Sequence, residues 1–274
     1  MALYTGNIKF TATDTEPTSD KGRLYYDESE SRLKHYNGEG WFDVDTAAAR
    51  SHTLNIIGDG SCVALYRFED NLNDASGNYN ATSSNTGYTS SGKFGSAVTF
   101  TDSSDQYVQI PAGLADLFNG SNDWSMSCWI NASGMESGFT SICAPAANDY
   151  DKPGWWIRNG RVEYGTGSGG SAWNICRLDT HSDGRGSIDI SDDTTYHMVW
   201  TRSNSTGYKG YVNAAVDFTE TDTTNLYSTS LAMYLGTWFH KASGYTIDGW
   251  LDQFRVFNKS LNSTEVGILY NEQL

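Results

Sequence analysis

The sequence is short of positive charge and of long apolar runs, and each shortage excludes a class of protein. Its 274 residues carry 18 Lys and Arg against 33 Asp and Glu, a formal net charge of −15 at pH 7. This balance disfavours nucleic acid, whose phosphates require basic patches, and also disfavours docking on anionic lipid. No apolar run approaches the ~18 residues of a membrane-spanning helix, so we expect no membrane partner. The start, MALYTGNIKF, predicts no secretory signal because no basic segment precedes an apolar core.

Cysteine and histidine are also scarce, and neither shows the spacing of a transition-metal site. Cys62, Cys128, Cys143 and Cys176 lack the close pairs of a zinc motif. We interpret them as free buried thiols, although a disulfide stays open because pairing cannot be read from sequence. The five histidines form no metal-binding pair. His197 is expected to be a packed strand residue with a satisfied ring nitrogen.

What the chain has in quantity is typical of an all-β protein. Aromatic residues make up 14% and there are 28 glycines, which suits short strands joined by tight turns. From Ser61 onward the pattern predicts one strand after another. In the segment 124–130, the alternation places one apolar set on the inward face: Trp124, Met126, Cys128 and Ile130. The expected fold is an antiparallel two-sheet jelly-roll sandwich.

A short helix is predicted at the C-terminal end. Asn262 can cap it, and Glu265 three residues later completes a capping box. Val266, Leu269 and Tyr270 then face the sandwich, and we expect the helix to cover a sheet edge.

The first part of the chain is organised differently. Residues 1–45 are predicted to form a small β element with strands at Leu24–Tyr26, Leu33–Tyr36 and Trp41–Val44, while 46–60 form a linker and 61–274 the sandwich domain. The small element cannot bury its apolar residues alone. We therefore expect it to attach to a partner or to self-associate, with a trimer favoured.

Two resemblances to known families give these elements a context. The segments ALYRFEDNLNDASGNYNAT, SGKFGSAVTF, WSMSCWINAS, TYHMVWTRS and IDGWLDQFRVFNKSLNSTEVGILYNE occur in order and resemble the LamG-like, concanavalin A-like jelly-roll domains. The segment IKF to WFDV resembles a short element of bacteriophage virion fibre and tail proteins. Its matching residues are Gly22, Leu24, Tyr25, Tyr26, Asp27, Leu33, Tyr36, Asn37, Gly38, Trp41 and Val44.

A turn rich in oxygen ligands predicts a calcium site. Glu69, Asp70, Asn71 and Asp74 follow the first strand of the sandwich domain, and the jelly-roll resemblance places Asp252 beside them. Calcium prefers six to eight hard oxygen ligands of this kind. The alternative is a turn held by Asx hydrogen bonds, with no ion.

Tryptophans near Gly-rich segments are the candidates for ligand binding. Trp155, Trp156, Trp173 and Trp238 could stack on sugar rings. Neighbouring residues of a strand point to opposite faces, so at least one of Trp155 and Trp156 is expected to be exposed or shared with a partner. The alternative is that all four fill the core or a subunit interface.

No pattern for catalysis accompanies these candidates. A retaining glucanase needs two closely spaced carboxyl groups, and neither 187–193 nor Asp248 with Asp252 supplies a Glu pair at strand spacing. The favoured hypothesis is a non-enzymatic phage virion protein, made in the host cytoplasm, that displays the jelly roll as an appendage, fibre or capsid decoration. Its expected partners are other virion proteins and a host-surface glycan. The alternatives are a carbohydrate-binding module of a bacterial extracellular protein and, with less support, a glucanase-like hydrolase.

Overall fold

The computed structural model describes residues 52–103, 105–147, 152–169, 175–176 and 185–272, together with the backbone of four strands at 12–13, 24–27, 32–36 and 41–43. The chain divides into two compact units, Met1–Ser51 and His52–Leu274. The sequence-based limits of 1–45, 46–60 and 61–274 stay a prediction. Among the helices in the described ranges, none has the length and apolar character to cross a bilayer.

The first unit contains a small sheet. Its described strands are β1 (Ala12–Thr13), β2 (Leu24–Asp27), β3 (Arg32–Tyr36) and β4 (Trp41–Asp43), which lie side by side in that order. β1 pairs with β2 in parallel, and the other two pairings are antiparallel. The last three strands coincide with those expected from the sequence.

The second unit contains the sandwich. Its strands are β5 (Cys62–Tyr66), β6 (Thr82–Ser84), β7 (Gly87–Thr89), β8 (Ala97–Phe100), β9 (Tyr107–Ile110), β10 (Trp124–Ser133), β11 (Phe139–Pro145), β12 (Gly154–Arg158), β13 (Arg161–Gly165), β14 (Tyr196–Ser203), β15 (Gly207–Val212), β16 (Ala215–Glu220), β17 (Met233–Leu235) and β18 (Asp248–Phe257). The helices are α1 (Ala112–Ala115), which runs into a 3₁₀ turn at Asp116–Phe118, and α2 (Ser263–Tyr270).

These strands form two antiparallel sheets. In the described part of the unit, one sheet has eight strands in the order β16-β15-β14-β10-β18-β8-β7, with β5 also paired to β18. The other has six, in the order β13-β12-β11-β17-β9-β6. The expected all-β jelly-roll sandwich with a short C-terminal helix is confirmed.

Aromatic side chains dominate the core between the two sheets. The inward set predicted for β10 is fully buried. Trp124 of that strand meets Trp200 of β14 edge to face, with ring centroids 5.1 Å apart, and Trp155 of β12 in the other sheet lies 6.3 Å from Trp200. Edge-to-face pairs of this kind add about 1 kcal/mol each to the burial of the rings. The core therefore joins the two sheets through tryptophan.

The outer face of the eight-stranded sheet is largely covered. Val266 and Leu269 of α2 pack there with Leu65, Leu261 and other apolar side chains, and Ile56 from the predicted linker is only 1% exposed in the same cluster. The expectation that α2 covers a sheet edge is therefore wrong, because the helix lies on the face of the sheet.

Both ends of α2 are fastened by polar contacts. At its start, the predicted capping box forms, with Asn262 accepting from the backbone N–H groups of Thr264 and Glu265. Just beyond its end, Glu272 accepts from both terminal nitrogens of Arg255 at 2.7 and 2.9 Å, and both side chains are fully buried. Removing one partner of such a pair costs about 3–5 kcal/mol because the other charge stays buried.

The four cysteines are free and buried, as expected from the sequence. His197 departs from its predicted environment. Its ring lies against Trp129 at 4.9 Å, but neither ring nitrogen has a hydrogen-bond partner among the described residues. Burial, reinforced by the positive charges of Arg255 and Lys93, lowers the pKa of His197 to about 3.

This buried histidine predicts a loss of stability in mild acid. The unfolded chain takes up a proton near pH 6.5 and the folded chain does not, so stability falls as pH drops from about 6.5 toward 3. Between pH 8 and pH 5 the contribution of His197 to this loss is about 2 kcal/mol of unfolding free energy. It is read as the difference between the wild type and the variant, because Asp252, whose pKa burial raises to about 7, acts in the opposite direction in both proteins. Urea titrations of wild type and His197→Gln at both values test this. A wild-type loss no larger than that of the variant would contradict it.

Candidate functional site

An aromatic cluster lies on the outer face of the six-stranded sheet. Its members, here called the aromatic cluster, are Phe139, Trp156, Trp238, Phe239, His240 and Tyr245. Strand alternation explains how it forms: Trp155 and Ile157 point into the core, so Trp156 between them points outward. The segment 237–245, which follows β17, then lies across this face and brings the remaining rings next to it.

The rings form a buried base and an accessible rim. Trp156 and Trp238 meet edge to face at 4.6 Å and are 2% and 8% exposed. Phe139 packs against both tryptophans and is half-buried. His240 and Tyr245 are exposed, and their centroids are 4.9 Å apart. The two tryptophans thus support rings that solvent reaches.

Charged groups border the base of the cluster. Trp156 donates its indole N–H to Glu163 of β13 at 3.2 Å. Arg158 donates to the other carboxylate oxygen of Glu163 through two nitrogens at 3.0 and 3.1 Å. Glu163 is nearly fully buried, so this pairing fixes both the carboxylate and the indole in place.

A second aromatic group occupies the same face farther along the sheet. Tyr107 of β9 and Tyr234 of β17 are 4.5 Å apart, and the ammonium of Lys241 lies 5.1 and 5.7 Å from their ring centroids. Cation–π contacts of this kind are worth about 0.5–1 kcal/mol at exposed sites. The face therefore combines flat apolar rings with hydrogen-bond donors, a combination that suits ligands with alternating C–H and hydroxyl surfaces.

The predicted tryptophans lie in different environments. Trp155 is fully buried in the central core, so its predicted role in ligand binding is wrong. The expectation that Trp155 or Trp156 would be exposed is also wrong, because the rest of the aromatic cluster covers Trp156. Trp238 belongs to the cluster as one of its buried members. Trp173 lies outside the described residues.

Sequence reasoning missed two members of the cluster, Phe139 and Tyr245. Phe139 and Tyr245 are far apart in the chain, and only the sheet and the segment after β17 bring their centroids to 5.2 Å. The one available signal was the run of aromatic residues at 238–240 followed by Tyr245, in a Gly-containing segment.

Asp74 holds the turn after β5 together. Its Oδ1 accepts from the backbone N–H groups of Leu65 and Ser76, and its Oδ2 accepts from Tyr79 N–H and the hydroxyl of Ser76. This is the alternative that the sequence left open, a turn held by Asx hydrogen bonds. The predicted role of Asp74 as a calcium ligand is not favoured, because both oxygens already have partners.

Glu69 and Asp252 lie close enough for their charges to interact. Asp252 Oδ2 accepts from Phe94 N–H at 2.9 Å, whereas its Oδ1 is buried and has no hydrogen-bond partner among the described residues. Burial and the neighbouring charge of Glu69 raise the pKa of Asp252 to about 7. Glu69 itself accepts from Ser96 N–H at 2.9 Å.

The other two predicted calcium ligands belong to the surface of the turn. Asp70 is exposed, and Asn71 is exposed and hydrogen-bonds locally to Glu69 O and Asn73 N. Within the ranges that the structure describes, no group of three or more His, Cys, Asp or Glu side chains is placed to hold a metal ion.

Known proteins share this fold. The family model Laminin_G_3, described as the concanavalin A-like lectin/glucanases superfamily, matches residues 102–267. No curated protein matches the chain. Among solved structures, domain 4 of AbnA, a GH43 extracellular arabinanase from Geobacillus stearothermophilus, in complex with arabinotriose, is 17% identical with a TM-score of 0.59. The alignment covers 77% of this chain and 98% of that one.

Toxin binding domains are similar too. The binding domain of Paraclostridial Mosquitocidal Protein 1 is 15% identical with a TM-score of 0.60, over 77% of this chain and 52% of that one. The botulinum neurotoxin serotype D ligand binding domain, in complex with N-acetylneuraminic acid, is 16% identical with a TM-score of 0.56, over 82% and 52%. The chain spans about half the length of these two toxin structures, and at such identities the likeness is one of fold.

The family model covers more than half of the chain and most of the sandwich, including the strands that carry the aromatic cluster. The chain belongs to the concanavalin A-like lectin/glucanases superfamily.

Proposed function

We propose that the second unit is a non-catalytic carbohydrate-binding domain and that it contacts glycans through the aromatic cluster. The observation that carries the proposal is the arrangement of that cluster, in which accessible rings rest on two buried tryptophans. Aromatic rings stack on the C–H faces of sugars, and neighbouring side chains can hydrogen-bond the hydroxyls. The carbohydrate-bound arabinanase domain of the same fold supports the ligand class.

The net charge of the chain indicates which classes of glycan can bind. A net charge of −15 repels polyanions at low salt, so neutral or amino sugars are the favoured partners of the aromatic cluster. A host-surface glycan of this type is the partner that we propose.

Binding rather than hydrolysis is favoured by the state of Glu163. A retaining glycosidase needs two carboxyl groups about 5–5.5 Å apart, one of them free to donate a proton. The described hydrogen bonds of Glu163 come from Arg158 and Trp156, which occupy both carboxylate oxygens. Glu163 is therefore committed to fixing its neighbours in place rather than free to act on a substrate.

For the whole chain we propose display on a phage particle. The support is the resemblance of residues 1–45 to an element of virion fibre and tail proteins, and the division of the chain into a small and a large unit. The small unit would attach to other virion proteins or form a trimer, and the sandwich would project from the particle. A carbohydrate-binding module of a bacterial extracellular protein is the second candidate, favoured by the arabinanase domain.

A calcium site that no longer includes Asp74 remains part of the proposal. We propose that the ion binds beside Glu69 and Asp252, where Asp252 Oδ1 is an oxygen without a described hydrogen-bond partner. Asp70, Asn71 and backbone carbonyls would complete the set of hard oxygen ligands.

Removing an accessible ring should weaken glycan binding without unfolding the protein. Tyr245 is 39% exposed, so Tyr245→Ala is expected to reduce affinity for glycans bound by the wild type about tenfold, the equivalent of ~1.4 kcal/mol. Tyr88→Ala is the matched control, since Tyr88 is 38% exposed on β7 of the other sheet. The measurement is binding to a glycan array followed by calorimetry. No binding by the wild type, or equal losses in the two variants, would contradict the proposal.

Removing the first unit should change the oligomeric state and leave the sandwich folded. A chain of residues 52–274 retains the described core and is expected to be monomeric, whereas the full chain of 30.2 kDa is expected to be a trimer. Light scattering coupled to size-exclusion chromatography gives both masses. The assignment would be overturned if the full chain were monomeric. It would also be overturned if the chain of residues 52–274 had a mass that is a multiple of its monomer mass.

Calcium should raise the melting temperature through Asp252. Ligand binding to the native state stabilises it by mass action, so the wild type should melt higher in calcium than in chelator. Asp252→Asn is expected to lose that increment. Asp74→Asn should lower the melting temperature equally in calcium and in chelator, because it removes hydrogen bonds that hold the turn. Identical wild-type melting with calcium and chelator would eliminate the site.

A further inference from the structure

A cavity lies on the opposite side of the sandwich from the aromatic cluster. It occupies the outer face of the eight-stranded sheet next to the start of α2, and its volume is about 450 Å³. Cavities that bind small molecules in proteins run from about 300 to 1,000 Å³. No residue of this cavity belongs to the aromatic cluster, so the two surfaces are independent.

Small polar side chains create the cavity. Thr201 and Ser203 of β14 and Tyr211 of β15 lie on the outward face of their strands, and Tyr211 also belongs to the apolar cluster that α2 covers. The segment 260–263 forms another wall, where the chain leaves β18 and enters α2. Since Thr and Ser are too short to fill the space beside the helix start, a pocket remains.

Hydrogen bonds fix these walls. Ser125 is fully buried; its hydroxyl donates to Lys259 O at 2.8 Å and accepts from Leu261 N–H at 2.9 Å, which ties the segment to the sheet. Asp123 accepts from Asn204 N–H at 2.6 Å and holds the turn between β14 and β15. Pre-organised walls reduce the ordering cost of binding.

Several polar groups that line the cavity have no hydrogen-bond partner within the described part of the chain. The hydroxyl of Tyr211 is one of them, and the residue as a whole is only 2% exposed because it packs in the apolar cluster with α2. Lys209 on the same strand is exposed, and its ammonium forms no ion pair with a described residue. The hydroxyls of Ser260 and Ser263 are likewise unpaired with described groups.

We propose that this cavity binds a monosaccharide-sized polyhydroxylated acid, of which the uronic acids are the simplest examples. Lys209 would take the carboxylate, and the hydroxyls of Tyr211, Ser260 and Ser263 would bond to the ring hydroxyls. Val216, which is 52% exposed, supplies an apolar contact for a C–H face. Asp123, which also lines the cavity, accepts from hydroxyl donors and repels a second carboxylate, so the ligand carries one negative charge.

Titration of the full chain with matched sugars tests the proposal. Glucuronate and galacturonate are compared with glucose and galactose by calorimetry and ligand-observed NMR. At least one uronate is expected to bind at least ten times more tightly than its neutral counterpart. Lys209→Gln, a change on the surface that folding tolerates, should remove that difference. Tyr211→Phe, which deletes only the hydroxyl, should weaken uronate binding several-fold.

Tyr245→Ala serves as the control, since it lies in the aromatic cluster and should leave uronate binding unchanged. The proposal is overturned if neither uronate binds, if neutral sugars bind equally well, or if Lys209→Gln binds uronate like the wild type. Loss of uronate binding in Tyr245→Ala with retention in Lys209→Gln would assign the acid to the aromatic cluster instead. The comparison of uronates with neutral sugars is also made in Tyr245→Ala, so that sugars bound by the aromatic cluster do not count against the cavity.

Discussion

The alternation of side chains along each strand is the constraint on which this protein depends. It gives each sheet one face for the common core and a second face that needs its own cover or its own use. Trp124, Trp155 and Trp200 meet on the inner faces and join the sheets. The features that this protein adds to the two-sheet fold therefore lie on the two outer faces.

The two outer faces differ in what packs on them. On the eight-stranded sheet, α2 and residues 54–57 provide an apolar cover, and the buried Arg255–Glu272 pair fastens the end of that cover to β18. Where the cover stops, short polar side chains leave a cavity. The outer face of the six-stranded sheet has a different cover. Aromatic side chains from β11, β12 and the segment after β17 instead pack on one another, and the rim of that cluster stays accessible.

Much of the fold could be predicted from sequence because its signals are local. The alternation in 124–130 and the Asn262–Glu265 capping box each lie within a few residues, and both form as expected. The role of Trp155 and Trp156 was harder to predict. Period-two alternation places them on opposite faces but contains no information about what covers the outer face. Phe139 and Tyr245, which share the site with Trp156, are joined only by the three-dimensional pairing of the strands. Asp74 shows the same limit, because its carboxylate could hold either an ion or the backbone of its own turn.

The central claim, that the outer face of the six-stranded sheet binds carbohydrate, is tested most directly by the indole N–H signals of the nine tryptophans in a glycan titration. The signal of Trp156, whose N–H is bonded to Glu163 beneath the accessible rings, is predicted to shift with saturation, together with that of Trp238. The signals of Trp124, Trp155 and Trp200 in the core should stay in place. A glycan that binds while the Trp156 and Trp238 signals remain unmoved, or that shifts only Trp129 on the other sheet, would contradict the account.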